Sequence, residues 1–149
     1  MSARDLAVWG ALAVSAVNGL VALFGALRWY RHAPSREFWL GVRAGQALAL
    51  LYAVLVGVQI LENDHPGSNL YYLYSLLPIV IGFVAAQLRT VAADQVLAAR
   101  DLEDAQAVAR LPDSQQQAIV LAILQREMGV MALAALVVCV LALRAAGTY

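Results

Sequence analysis

The chain has no lysine. All ten of its basic side chains are arginine, balanced by ten carboxylates, and charged residues make up only 13% of the sequence. No basic block is present that would make a nucleic-acid surface or a strong anionic-lipid patch, so no nucleic-acid partner is expected. Cysteine occurs once, as Cys139 inside an apolar stretch. That excludes an internal disulfide and a cysteine-based metal site, and leaves Cys139 as a small packing residue. Motifs for phosphate loops, nucleophilic triads and zinc hydrolysis are missing, as are prenylation and myristoylation signals. No enzyme class and no cofactor follow from what is there.

Hydrophobic residues account for 62% of the chain. A membrane span needs about 20 mainly apolar residues to cross about 30 Å of hydrocarbon. Residues 6–27, 38–61, 70–88 and 128–143, the last extended back through 118–124, meet or approach that length. The first stretch lacks a clear cleavage site followed by polar sequence and reads as a retained helix. The expectation is an all-α, polytopic membrane protein: a single domain over residues 1–149, folded as an antiparallel bundle of four transmembrane helices. Its spans are expected near 6–30, 37–62, 70–90 and 120–143.

Punctuation along the chain supports those boundaries. Pro34 discourages continuation of the first helix, and Ser35 is a good N-cap for the second. Residues 63–69 concentrate turn formers, and Pro78 predicts a bend in the third helix. Residues 91–110 contain neither glycine nor proline, predicting that helix three continues into the cytoplasm as a polar extension. Ser114 and Gln117 have capping-box spacing for the start of the fourth helix.

Arginine placement predicts orientation. Arg28, Arg31, Arg36, Arg89, Arg100 and Arg110 flank the first and third connections, whereas the termini carry only Arg4 and Arg144. The first and third connections are therefore expected in the cytoplasm, with both termini outside the cell membrane. Trp29, Tyr30 and Trp39 then form an inner aromatic belt, and Trp9, Tyr71, Tyr72 and Tyr74 an outer one.

Charge interrupts the apolar stretches at Arg43 and at Arg126-Glu127. Counting about 1.5 Å per residue from the helix ends places Arg43 and Glu127 at similar depth, in the cytoplasmic third of the bilayer. Gln46 shares the face of Arg43, and Gln87 reaches the same layer. Adjacent residues point about 100° apart, so Glu127 is expected inward and Arg126 toward the interface. An Arg43–Glu127 pair would relieve an insertion cost of about 2.5–3.5 kcal/mol per centred charge. Two readings stay open: a packing pair with snorkelling arginines, or a site for a ligand, a lipid headgroup or a proton.

Asn18, mid-span in helix one, is expected to bond across helices or to line a pocket. Ser15 with Gly19, and Gly41 with Gly45, are small-xxx-small pairs that serve tight packing or a homodimer. Glu62, Asp64 and His65 give only a weak metal signal, and no metal site is expected. His32 and His65 fall at opposite faces and cannot flank one haem within a monomer, which argues against a b-type cytochrome but leaves a single-ligand or interfacial haem open.

Three function classes fit. The leading one is an accessory or structural component that binds membrane lipids or a partner membrane subunit through the polar layer and the helix-three extension. Val91, Leu97, Leu102 and Val108 on that extension need cover. The alternatives are an oligomeric small-solute transporter or channel subunit, and a lipid- or quinone-modifying enzyme using Arg43 and Glu127.

Overall fold

The computed structural model describes residues 2–62 and 68–149. Those residues form five helices and no strand: α1 (Ala3–Tyr30), α2 (Arg36–Leu61), α3 (Leu70–Ala98), α4 (Ala105–Ala109) and α5 (Asp113–Thr148). All but α4 are long and apolar enough to cross a membrane. Their outer surfaces match that reading, since Leu20, Leu51, Phe83 and Leu133 are largely exposed. In water such a surface would be an aggregation liability, whereas lipid accommodates it.

Local chemistry sets the helix ends. α1 begins at Ala3 because Ser2 and Asp5 form a capping box: Asp5 N–H donates to Ser2 Oγ at 3.1 Å and Ser2 N–H to Asp5 Oδ2 at 2.9 Å. Ser35 caps α2 as expected, accepting from Phe38 N–H at 3.2 Å. The turn before it uses His32 in the left-handed region, at φ 52°. The capping box expected at Ser114 does not form. Pro112 occupies the N-cap of α5, and Gln116 Nε2 reaches back to the carbonyls of Leu111 at 2.7 Å and Ala109 at 3.2 Å.

The extension of α3 is shorter than the sequence predicts, ending at Ala98 instead of near Arg110. Asp101 adopts φ 56°, and the N–H groups of Leu102 and Asp101 return to the carbonyls of Leu97 and Ala98 at 3.1 and 3.2 Å. This is a Schellman ending with aspartate in place of the usual glycine. Three residues on, Asp104 caps α4 through Ala107 N–H at 2.8 Å. Aspartate competes with helix continuation by offering such local bonds, and propensity alone missed it. The segment therefore folds back, with Ala92 and Val96 of α3 and Ile119 of α5 buried. Leu97, Leu102 and Val108 are half-buried by the chain itself, and Val91 stays exposed.

The helices meet through small residues. A Cβ on Gly19 would lie 3.1 Å from Cys139 Sγ, one on Gly41 3.0 Å from Val21, and one on Gly45 2.8 Å from Asn18. Ser15 Oγ donates to the Cys139 carbonyl at 3.0 Å, a bond between α1 and α5. All four residues of the expected small-xxx-small pairs therefore have partners inside this chain. α5 packs closely on both α1 and α3, whereas α2 and α3 touch only sparsely.

At the end carrying the termini, Tyr71 is buried, correcting its expected place in an aromatic belt. Its hydroxyl donates to Gln59 Oε1 at 3.0 Å and accepts from Tyr52 at 3.3 Å, while Tyr149 packs edge-on against its ring. Gln59 Nε2 in turn donates to the Ala3 carbonyl at 3.1 Å, tying α2 to the start of α1.

Candidate functional site

The sparse α2–α3 seam leaves space. A cavity of about 180 Å³ lies there, lined by Val42, Gly45 and Ala49 of α2, Pro78, Gly82 and Ala85 of α3, and Met131 and Val138 of α5, with Asn18 and Gln46 as its polar members. α3 runs unbroken through Pro78. A Cβ on Gly82 would meet nothing within 4 Å, so the absent side chain leaves room.

A second cavity of about 210 Å³ adjoins the first on the arginine-rich side. Trp39, Arg43, Arg89, Leu124 and Glu127 line it, and it shares Val42, Gln46 and Met131 with its neighbour. Ligand sites run at about 300–1,000 Å³, and these two cavities come within that range when taken together. From Glu127 to Val138 the groove follows about 16 Å of α5, roughly half the hydrocarbon thickness of a bilayer.

The ion pair here is not the expected one. Glu127 Oε2 accepts from Arg89 Nη2 at 3.0 Å, and Arg89 also lies over the Trp39 ring at 4.6 Å. Arg43 lines the same cavity but, among the described residues, makes no ion pair or hydrogen bond. Arg89 belongs to the stripe Pro78, Gly82, Ala85, Arg89, Ala92, Val96, spaced by threes and fours, which turns it inward. The Glu127 side chain is 14% exposed and that of Arg89 40%. Arg89 Nε is buried and has no partner among the described residues.

Of the other expected site residues, Gln46 lines both cavities and Asn18 the apolar one. Among the described residues, Asn18 makes no hydrogen bond to another helix; its Nδ2 donates to Val14 of its own helix at 2.9 Å. Gln87 is exposed and lines neither cavity, because two residues along a helix turn it away from Arg89. Arg126 is exposed, whereas Glu127 lines the charged cavity. Asp64 and His65 of the weak metal cluster lie outside the described residues. His32 is exposed, with Nδ1 3.1 Å from the Tyr30 carbonyl.

Sequence reasoning missed Arg89 by assigning it to the connection. The period of small and apolar residues through Ala85, Ala92 and Val96 was the signal that could have found it.

No protein-family model, curated protein or solved structure matches this chain. The geometry of the site therefore carries the functional argument.

Proposed function

We propose that the protein is a four-pass component of the cell membrane, an antiparallel bundle with both termini outside, that binds a lipid within the bilayer. The observation that carries this reading is an apolar cavity beside a charged one, the two sharing Val42, Gln46 and Met131 as walls. Such a pair offers hydrocarbon to a tail and hydrogen-bond donors to a headgroup. Its place at the sparse α2–α3 seam gives sideways access from the bilayer. The excess of arginine on the first and third connections supports a cytoplasmic position for the charged end.

The partner-subunit reading loses much of its motive. It rested on apolar side chains of a free helix needing cover, and three of the four are half-buried against this chain's own hairpin. Lipid binding needs no such surface.

The test is retention. After extraction and exhaustive detergent exchange, mass spectrometry of the intact protein should find about one lipid per chain. Gly82→Leu, which fills the groove from a position with open space, should abolish that retention while the helices stay folded. Equal lipid content in both forms would refute the proposal.

A further inference from the structure

Resting on the lipid-binding reading, we infer that the bound lipid carries an anionic phosphodiester headgroup, held between Arg43 and Arg89, with one acyl chain in the groove past Gly82. The charge balance of the cavity is the first argument. Two guanidinium groups face one carboxylate, leaving a surplus of one positive charge. A net-neutral headgroup would bring its own cation toward that surplus, whereas a singly anionic phosphate brings none.

The donors are the second argument. Glu127 engages Arg89 through Nη2 and the Trp39 ring covers the guanidinium face, which leaves the Nη1 donors for an incoming anion. The ion pair and the ring hold this guanidinium in place, so its remaining edge is set to accept an anion. Arg43, without a partner among the described residues, supplies a second fork across the cavity. Paired guanidinium donors suit a tetrahedral phosphate, whose oxygens they meet two at a time. The third argument is depth. A groove of about 16 Å ends near mid-bilayer, so it takes a chain from one leaflet, with its phosphate at the arginine-rich end.

The test uses full-length protein carrying Trp9→Phe and Trp29→Phe, so that Trp39 alone reports, in nanodiscs of phosphatidylcholine. Tail-brominated phosphatidylglycerol should quench Trp39 at roughly fivefold lower mole fraction than tail-brominated phosphatidylcholine, the preference one arginine confers near a bilayer surface. Arg43→Gln should remove that preference, and Gly82→Leu should reduce quenching by both lipids. Equal quenching by the two lipids, with both reduced by Gly82→Leu, overturns the headgroup assignment and leaves lipid binding intact. Quenching that neither the headgroup nor Gly82→Leu alters overturns both. Millimolar inorganic phosphate should not relieve quenching by phosphatidylglycerol; relief in the wild-type groove but not in Arg43→Gln would instead assign the cavity to free anions.

Discussion

The same substitution, glycine to alanine, should have opposite effects at Gly25 and Gly82. A Cβ on Gly25 would collide with the Phe38 ring and lie 2.9 Å from Ala132 Cβ. Both neighbours are buried, Phe38 on α2 and Ala132 on α5, so the methyl group can be admitted only by prising three helices apart. Overpacking of this kind costs about 1–3 kcal/mol. Alanine regains up to about 1 kcal/mol of helix propensity, and less where the unfolded reference is already helical in the bilayer. Gly25→Ala should therefore lose about 1–2 kcal/mol net. At Gly82 nothing lies within 4 Å of the new methyl group, so only the propensity gain remains. The two variants should differ by about 2 kcal/mol, roughly thirtyfold in the folding equilibrium. Reversible unfolding in mixed detergent micelles, followed by circular dichroism, measures this. Equal shifts of the same sign at both positions would refute the packing described for α1, α2 and α5.

Arg89→Gln should destabilise by about 1–2 kcal/mol, because it strands the more buried partner, while Glu127→Gln should cost under about 1 kcal/mol because Arg89 keeps the Trp39 ring. Chemical denaturation of both variants and of their double mutant would show the asymmetry, and equal costs would contradict the assigned burial. Tyr71→Phe should cost about 1 kcal/mol by leaving Gln59 Oε1 without its donor, and should speed amide exchange at the start of α1, which Gln59 tethers. Asn18→Ala should change stability by less than about 0.6 kcal/mol, since its hydrogen bond stays within α1. A larger loss in the same unfolding assay would mean that Asn18 joins helices after all.

Four helices of spanning length and apolarity were legible because the stretches are long and the cap at Ser35 obeys local chemistry. The end of α3 was not, because the left-handed turn at Asp101 and the side-chain cap from Asp104 are specific local events that an average propensity does not contain. Depth along the helices brings Arg43, Gln46 and Glu127 to one layer, and all three line one cavity, but depth says nothing about which way a side chain points around its helix. That angle separates Arg89 from Gln87. It is set by the stripe from Pro78 to Val96, and the period of that stripe is visible only when small residues are counted with the apolar ones. Of the two roles open to Asn18, its place on the apolar cavity fits the pocket-lining one, with its amide bonded to Val14 of its own helix.

The two arginines of the cavity divide its mechanics between them. Arg89 and Glu127 join α3 to α5 across a seam that is already closely packed, so their pair reinforces a wall that need not move. Arg43 stands on α2, across the sparse seam, with no partner among the described residues to hold it. A ligand anion reaching both guanidinium groups would connect α2 to the α3–α5 pair at the charged end of the seam, adding to the Arg89–Trp39 contact there and to the bonds of Tyr71 with Tyr52 and Gln59 at the far end. Binding should then rigidify α2 selectively, and hydrogen exchange along α2 should slow more than along α1 or α5 when phosphatidylglycerol is added. With Arg43→Gln the bridge is lost while the Arg89–Glu127 pair remains, so the lipid should no longer protect α2. Protection spread evenly over all four helices would instead point to general bilayer effects and would remove the α2–α3 seam from the argument.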